Sequence, residues 1–507
     1  MNRILRRIFT ILPAVLLQAL WLAVLLKWLA PWAALLNFAL SVLAFLFVLY
    51  LITKQEEGTY KILWLLVILS FPLPGAALYL IFGNKRTTKP LLKKLNAAGP
   101  CLPLSQSDPA AYEALDAENR RLCQTFRMVE SLTGFGFKKN RSADYYALGD
   151  EMFPVMLEEL KKAERFIFVE YFIVENGLMW DSMVQILAQK ASRGVDVRVM
   201  YDDFGSLSTY SRENAQKLRQ MGIRCVAFNP LFFIKGTLNC RDHRKMLIID
   251  GKVAFSGGVN LADEYINQVE RFGHWKDIGF KLTGEAVYSY TRMFVQFWNA
   301  FSHDPLPEGF LASALPGGNA ADSKAQDGYV LSYYDSPLKP DAVSNELFID
   351  LLSQAKDYAW FYTPYLLPGQ SLLDAFSRAA RRGVDVRIIL PGIPDKKLVY
   401  RMSRSFYPVL LEAGVRIFEY TPGFFHAKAS LVDGVVGTVG TVNLDYRSLF
   451  LHFENNSLFY RAGLLTDLRA DFLDTQSKCR ERTWENMERG LVRWIVDGVL
   501  RIFAPLC

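Results

Sequence analysis

The chain has 507 residues, a formal net charge of +7 and 51% hydrophobic residues. Its length suffices for two or three domains, and its basic charge favours anionic partners, either nucleic acid or acidic lipid headgroups. The six cysteines include no C-x-x-C pair, which argues against a zinc site or a disulfide framework and suits a reducing compartment.

Residues 1–95 are predicted to form a membrane anchor. The apolar runs at 11–29 and 32–52 are each long enough to cross a bilayer as a helix. A third run, at 61–83, contains FPLPG, whose prolines and glycine are expected to break a straight helix. Two crossings and a re-entrant or interfacial third run keep every basic cluster on the cytoplasmic side. The anchor favours lipid over nucleic acid as the partner.

From about residue 96 the sequence has an α/β pattern. Strand-like runs such as RFIFVEYFIV (165–174) alternate with helical runs such as MWDSMVQILAQKASR (179–193). Residues 303–328 are rich in Pro, Gly, Ala and Ser and lack periodicity, which is typical of a linker. We therefore expect two α/β units joined by this connection.

The sequence also repeats a motif. Residues 240–260 read CRDHRKMLIIDGKVAFSGGVN, and residues 426–443 read HAKASLVDGVVGTVGTVN. Both contain H-x-K-x4-D followed by a glycine and an asparagine at the same spacings, and RGVDVR occurs at 193–198 and again at 382–387. Two motifs in register within a longer repeat indicate a duplicated unit.

Each H-x-K pair fits chemistry on a phosphodiester. Side chains two residues apart on a strand share one face, so the histidine and lysine of each motif point together. One neutral imidazole is suited to attack phosphorus, and the other to act as general acid and base. Lysines and asparagines supply positive charge and neutral donors for the phosphoryl oxygens. Since lysines supply the charge that a divalent ion would bring, we expect no metal and no other cofactor.

The doubled pattern H-x-K-x4-D-x6-G-[GST]-x-N resembles the phospholipase D superfamily. Together with the apolar spans and GTVNLDYRSLFLHFE (440–454), it resembles the bacterial cardiolipin synthases. The resemblance covers residues 110–507. It implies two pseudo-symmetric sandwich halves, each a mixed sheet flanked by helices, at 110–302 (motif 237–264) and 329–507 (motif 420–447), preceded by transmembrane helices.

The same resemblance implies an activity and a location. The expected reaction transfers a phosphatidyl group from one phosphatidylglycerol to another, giving cardiolipin and glycerol through a phosphohistidine. The expected location is the bacterial cytoplasmic membrane, with the catalytic domain in the cytoplasm. Three alternatives stay open: a phospholipase that uses water or a transferase that uses another alcohol, a nuclease, and a membrane scaffold that has lost activity.

Twelve residues are predicted to form the site. By family analogy His243 is the nucleophile and His426 the acid and base, while Asp277 and Glu454 orient the imidazoles. Asp250 and Asp433 precede glycine turns, and either a site-building or a turn-building role is open to them. The predicted catalytic residues are His243, Lys245, Asp250, His426, Lys428 and Asp433, and the predicted phosphate-binding or supporting residues are Asn260, Asn443, Gly258, Thr441, Asp277 and Glu454.

Other features have two interpretations each. The phenylalanine pairs at 232–233 and 424–425 suit either an acyl channel or the core. Residues 488–507 have the pattern of an amphipathic helix, which suits the membrane surface or a cover over the soluble core. The remaining histidines, His274, His303 and His452, are expected to be structural or solvated. Gly258 stands where the family often has serine, so a hydroxyl contact to phosphate is expected only from Thr441.

Overall fold

The protein is described here by a computed structural model. It describes residues 13, 16–24, 33–54, 56–83, 89–98, 107, 109–139, 142–230, 239–307, 309–310, 328–339, 341–487 and 490–506. The phenylalanine pair at 232–233, most of the expected linker and much of the first apolar run lie outside these residues.

The amino-terminal part is helical. Glu57 begins the second of its helices as an N-cap, accepting hydrogen bonds from the backbone N–H of Thr59 and Tyr60. At Phe71 the chain leaves helical geometry, with φ −137° and ψ 78°, directly before the first proline of FPLPG. Within the described residues, no helix has both the length and the apolarity needed to cross a membrane. The helices are α1 (Ala33–Ile52), α2 (Gly58–Ser70) and α3 (Pro72–Leu78), followed by a π-helical turn at Tyr79–Gly83.

Three helices and a short strand connect this part to the first sheet. They are α4 (Lys89–Ala97), α5 (Pro109–Glu118), α6 (Arg120–Thr133) and β1 (Lys138–Lys139).

The first half is a seven-stranded mixed sheet in the order β2-β8-β7-β6-β3-β4-β5, in which β3, β4 and β5 are parallel and the other pairings antiparallel. The strands are β2 (Ser142–Tyr146), β3 (Phe166–Tyr171), β4 (Asp196–Asp202), β5 (Arg224–Phe228), β6 (Met246–Ile249), β7 (Val253–Gly257) and β8 (Gly279–Thr283). Its helices are α7 (Gly149–Lys162), α8 (Leu178–Ser192), α9 (Arg212–Gln220) and α10 (Val287–Phe301), with a 3-10 turn at Asp263–Ile266.

The second half repeats this plan in a nine-stranded sheet, in the order β1-β9-β17-β15-β14-β10-β12-β13-β18. Its strands are β9 (Tyr329–Asp335), β10 (Tyr358–Tyr362), β12 (Asp385–Pro391), β13 (Arg416–Tyr420), β14 (Ala429–Val432), β15 (Val436–Gly440), β17 (Glu454–Tyr460) and β18 (Cys479–Arg482), while β11 (Leu366–Leu367) and β16 (Leu444–Asp445) pair separately. Its helices are α11 (Val343–Gln354), α12 (Gln370–Arg381), α13 (Lys397–Ser405), α14 (Tyr407–Glu412), α15 (Tyr446–Phe450), α16 (Leu464–Ser477) and α17 (Leu491–Phe503), with a 3-10 turn at Ala504–Leu506.

One expected boundary differs from the structure. Residues from 110 onward were assigned to the first half, but β1 pairs with β9 of the second sheet, through Lys138 and Val330. Helix α6 also packs on the second half, where Gln354 donates to the hydroxyl of Thr125 at 2.7 Å. The first sheet begins only at Ser142. The sequence pattern could not predict this pairing, because tertiary packing determines which strand β1 pairs with.

Helix α10 lies between the two halves and holds them together. Its Tyr290 hydroxyl hydrogen-bonds Ser457 of β17 at 2.8 Å, and its Phe297 ring packs on Phe453 with centroids 4.8 Å apart. Ten of the fifteen residues of the helix are buried. Burial on both sides of a helix at this position fixes the halves relative to each other, and so fixes the distance between their motifs.

Candidate active site

The two motifs meet where the halves exchange backbone hydrogen bonds. His243 N–H donates to the carbonyl of Phe453 at 2.9 Å, and Phe453 N–H donates back to Arg241 at 2.8 Å. The equivalent contacts at the second motif are His426 N–H to the carbonyl of Lys276 at 2.8 Å and Lys276 N–H to the carbonyl of Phe424 at 2.9 Å. Each histidine thus lies beside the segment that leads into a carboxylate of the opposite half.

The imidazoles and carboxylates are therefore paired across the halves. Nδ1 of His243 lies 2.9 Å from both carboxylate oxygens of Glu454, and Nδ1 of His426 lies 2.6 Å from Oδ2 of Asp277. Both histidines are only 7% exposed, and both carboxylates are fully buried. A carboxylate at Nδ1 fixes the ring and its tautomer, which leaves Nε2 for a substrate. Asp277 and Glu454 have the geometry expected of orienting groups.

The two carboxylates are supported differently. Two hydroxyls donate to Glu454, from Thr441 and from Ser448 of α15. Asp277 instead accepts the backbone N–H of Ile278 at 2.9 Å. Gly258 is the counterpart of Thr441, and a Cβ atom there would lie 2.0 Å from Oδ1 of Asp277. The glycine therefore makes room for this carboxylate.

Thr441 consequently has a different partner from the one expected. Its hydroxyl was predicted to contact phosphate, but it contacts Glu454 and the backbone of Asn455. Ser448, which sequence reasoning missed, joins this network because its hydroxyl also accepts the backbone N–H of Asn443 at 3.0 Å. Its position two residues into a short helix after the motif gave no sequence signal.

The lysines of both motifs are buried beside the histidines. Nζ of Lys245 donates to the carbonyl of His243 at 2.8 Å, and Nζ of Lys428 lies 2.7 Å from Nδ1 of His426. Burial lowers the pKa of Lys245 to about 8 and that of Lys428 to about 7, although Glu454 and Asp277 oppose this shift. Each ammonium group thus lies beside the histidine of its own motif, where its positive charge suits an anion held between the two histidines.

Burial is also the main influence on the imidazoles. It lowers the pKa of His426 to about 4, with a further contribution from the charge of Lys428. The pKa of His243 is lowered well below its usual value by burial, and further by its electrostatic interactions with Lys245, His452, Lys428 and His426. In the absence of an anion, both rings are therefore neutral near pH 7, and one neutral imidazole is the form that attacks phosphorus.

The predicted asparagines lie in the same region with different roles. Asn260 is engaged within the protein, since its Oδ1 accepts the N–H of Ile173 at 3.1 Å and its Nδ2 donates to Tyr265 at 2.7 Å. Asn443 is 5% exposed, and its Oδ1 has no hydrogen-bond partner among the described residues. Asn260 thus positions Tyr265, whose ring lies 5.5 Å from that of His426.

Asp250 and Asp433 are not brought to the imidazoles. Each lies at the far end of the four-residue strand β6 or β14, about 20 Å along an extended chain from its histidine. Asp250 accepts three backbone N–H groups of residues 164–166, and Asp433 accepts three of residues 356–358, all at 2.8–2.9 Å. Of the two roles left open for them, the geometry favours turn building over direct catalysis.

Aromatic rings surround both histidines. Phe172 lies 4.9 Å from His243, and Trp275 lies 5.9 Å from His426. Phe424 packs on Trp275 at 4.8 Å and is buried, as expected of a core residue. His452, which was expected to be structural or solvated, lies 5.9 Å from His243. Trp275 and His452 each precede an orienting carboxylate by two residues, which is the sequence signal that could have identified them.

Two further observations concern metal-binding side chains and cysteines. Among the described residues, no group of three or more His, Cys, Asp or Glu side chains is arranged to hold a metal ion. Cys123, Cys225 and Cys479 are free thiols.

Comparison with known proteins agrees with this architecture. Residues 156–298 and 348–475 match the family described as "Cardiolipin synthase, PLD-like domain", and residues 39–84 match "Phospholipase_D-nuclease N-terminal". A cardiolipin synthase of Halalkalibacterium halodurans is 34% identical over 89% of this chain and 90% of its own length. An uncharacterized protein of Streptococcus mutans is 43% identical over 90% of this chain and 99% of its own.

A solved structure shares the fold. The crystal structure of phosphatidylserine synthase from Haemophilus influenzae covers 75% of this chain and 97% of its own, with a TM-score of 0.55 at 16% identity. The likeness supports the paired-sheet architecture built on two halves. From the doubled motif, the cross-paired histidines and these relatives, we conclude that the chain belongs to the phospholipase D-like cardiolipin synthase family.

Proposed function

We propose that the protein is a phosphatidyltransferase that makes cardiolipin and glycerol from two molecules of phosphatidylglycerol. The observation that carries this proposal is the pair of buried imidazoles, each oriented by a carboxylate of the opposite half and each beside a lysine. Relatives named cardiolipin synthase, at 34% identity over most of the chain, support this choice among phosphodiester reactions.

The charge balance of the site suits a phosphodiester. Lys245 and Lys428, when protonated, offset Asp277 and Glu454, when both carboxyls are ionised, so in this state the site with two neutral imidazoles has no net charge. Burial raises the pKa of Glu454, and Lys245 and the hydroxyls of Ser448 and Thr441 oppose that shift. One added proton gives +1, which matches the single negative charge of a phosphodiester. Binding of the anion raises the pKa of the nearby imidazole, because an opposite charge favours its protonated form. The bound complex therefore holds one neutral and one protonated ring.

These two rings carry out two successive displacements. Nε2 of His243 attacks phosphorus, the bond from phosphorus to the glycerol oxygen breaks, and His426 donates a proton to that oxygen. A hydroxyl of a second phosphatidylglycerol then gives its proton to His426 and attacks phosphorus, and the phosphorus–nitrogen bond to His243 breaks. Lys245 and Lys428 stabilise the charge that accumulates on the nonbridging oxygens in both steps.

The reaction is tested with purified, detergent-solubilised protein and phosphatidylglycerol. We expect cardiolipin and free glycerol in equal amounts, with or without a chelator. Phosphatidic acid as the main product would indicate a phospholipase that uses water, and the absence of any product would indicate an inactive scaffold. A double variant that lacks both histidines serves as the control.

We further propose that residues 1–95 anchor the protein in the bacterial cytoplasmic membrane as a multi-pass segment, with the catalytic halves in the cytoplasm. The family match at 39–84 supports this, as do apolar side chains of α1 that face outward, including Phe38 at 68% exposure. Helix α17 contributes a second apolar surface, since Trp494 is 74% exposed and the helix has no buried residue. Protease protection in inverted and right-side-out vesicles tests the orientation.

A further inference from the structure

The short helix α15 supports the carboxylate that orients His243. Within this helix, the buried hydroxyl of Ser448 donates to Oε1 of Glu454 and accepts the backbone N–H of Asn443 at 3.0 Å. Asp445 begins the helix as its N-cap and accepts the backbone N–H of Ser448 at 2.9 Å. Because both the backbone and the side chain of Ser448 are bonded, the position of α15 determines where the donor to Glu454 lies.

The same helix packs on α2 of the amino-terminal part. The ring of Tyr446, the first residue of α15, stacks on the ring of Tyr60, with centroids 5.3 Å apart and planes 9° from parallel. Both rings are buried, and they belong to one apolar cluster. The Tyr60 hydroxyl also donates to the carbonyl of Gly83 at 3.1 Å, which ties the ring to the end of the amino-terminal helices. Direct contacts therefore lead from residues 58–83 through α15 to the carboxylate beside His243.

The first half holds its equivalent turn in a different way. Tyr265, in the 3-10 turn at Asp263–Ile266, is the counterpart of Ser448, because each lies five residues after the asparagine of its motif. Asp263 fixes that turn by accepting two backbone N–H groups at the start of α8, both at 2.8 Å. The turn beside His426 is thus held by its own half, whereas α15 packs on the amino-terminal helices.

The hydroxyl of Ser448 also affects the charge of Glu454. Burial raises the pKa of Glu454, and Ser448 opposes that rise by donating to the ionised form. The positive charges of Lys245 and Lys428 favour the ionised form, and the nearby Asp445 disfavours it. A carboxyl group that takes up a proton is a weaker acceptor for the imidazole N–H, so it orients its histidine less firmly. The orienting carboxylate therefore needs the donor that α15 supplies.

We propose that the amino-terminal helices take part in catalysis by holding α15, and that Tyr60 and Ser448 are positioning residues for the pair formed by His243 and Glu454. Both act through other groups, since Tyr60 holds the helix through Tyr446 and Ser448 holds the carboxylate. The amino-terminal part then supports one of the two histidines in addition to anchoring the protein. The proposal rests on the proposed function, because it assumes that His243 acts on the phosphodiester.

The first test removes the Ser448 hydroxyl. We expect Ser448→Ala to lower kcat about tenfold and to leave KM for phosphatidylglycerol within about threefold, because the change affects the orientation of His243. The acid limb of the pH profile of kcat/KM should move to higher pH, since the Glu454 carboxyl then takes up a proton more readily. Ser448→Thr keeps the hydroxyl and is expected to recover most of kcat. An unchanged kcat or an unshifted acid limb in Ser448→Ala overturns the proposal.

The second test measures the coupling between the stacked rings and the hydroxyl. Tyr60→Leu removes the stack, and we expect about a fivefold fall in kcat per folded molecule in the original protein. In the Ser448→Ala background the same change should lower kcat less than twofold, because both substitutions act through one carboxylate. Tyr446→Leu removes the other ring and is expected to behave like Tyr60→Leu.

The matched control is Phe47→Leu. This ring belongs to the apolar cluster but packs on Tyr50 and Tyr79 within the amino-terminal part, so its loss should leave kcat within about twofold. An equal fall in kcat for Tyr60→Leu in both backgrounds, or no fall in the original protein, overturns the proposal. Failure of the original protein to make cardiolipin would instead refute the proposed function.

Discussion

The two halves have the same order of strands around their motifs, but the interior side chains next to the motifs are charged in the first half and aromatic in the second. In the first half, Arg244 lies in the interior, bonded through Nε to Asp242 at 2.8 Å and paired with Glu170. Glu170 of β3 pairs with Met246 of β6, and Tyr362 of β10 pairs with Ala429 of β14. Met246 and Ala429 each lie three residues after the histidine of their motif, so Tyr362 is the counterpart of Glu170. Tyr362 packs on Phe425, which is the counterpart of Asp242, at 4.9 Å.

This difference shows that the motif does not depend on one kind of interior. Buried ions are tolerated in the first half because each has a charged partner, whereas aromatic packing achieves the same placement in the second half. What the halves share is the exchange of backbone hydrogen bonds at His243 and His426 and the short strand that follows each H-x-K pair. The feature common to both copies is therefore this pattern of backbone hydrogen bonds, whereas the interior side chains of the two halves differ.

Removal of a histidine is the strongest test of the comparison. Both His243→Ala and His426→Ala are expected to lose at least about a thousandfold in kcat, because each removes a group that acts on the reacting atoms. Only His426→Ala should accumulate a covalent lipid–protein adduct, since His243 is the proposed nucleophile. Mass spectrometry of the quenched enzyme detects the adduct. Its appearance in the His243→Ala variant instead would reverse the roles of the halves.

Substitution of Gly258, which lies beside the Asp277 carboxylate, is expected to have the next largest effect on kcat. Gly258→Ser places a Cβ atom where Asp277 lies, so we expect about a hundredfold loss of kcat as this carboxylate shifts. Thr441→Ser is the matched control, because it keeps the hydroxyl that donates to Glu454, and it should remain within about threefold. Equal tolerance of both substitutions would contradict the asymmetric support of the carboxylates.

The pH dependence separates the two lysines. Lys428 has a pKa of about 7 and Lys245 of about 8, so each is protonated below that value and loses its charge above it. We expect kcat/KM to fall by about tenfold per pH unit above pH 7 where the charge of Lys428 is required, and by about a hundredfold per pH unit above pH 8 where both charges are required. Arginine stays protonated over this pH range, so Lys428→Arg should remove the part of the fall in kcat/KM that is due to Lys428. A profile that stays flat up to pH 10 would show that neither charge is required.

The turn aspartates are expected to have the smallest effect on activity and equal effects on stability. Asp250→Ala and Asp433→Ala each remove an acceptor of three backbone N–H groups, so we expect about 2–3 kcal/mol less stability for each. Residual kcat per folded molecule should stay within about threefold. Thermal unfolding of the solubilised protein measures the loss, with the exposed Asp467→Ala as control. A large loss of kcat without loss of stability would restore a catalytic role.

Much of the site could be predicted from the sequence because the motif is short and doubled. The spacing of His243 and Lys245 fixes their common face, and the second copy repeats it. The partner of each imidazole could not be predicted, because Glu454 is 211 residues from His243 and an exchange between halves leaves no local pattern. The role of Gly258 was missed for the same reason, since the carboxylate that it accommodates is identified only by tertiary structure.

The crossing of carboxylates between halves has an evolutionary consequence. A single unit of this kind, before duplication, would have contained an imidazole and a carboxylate that could not reach each other. Two identical copies related by a twofold axis would have completed both pairs at once, since such an interface brings each surface against its own equivalent. Because one chain carries both copies, its two sides need not be identical, and they carry His452 beside His243 and Trp275 beside His426.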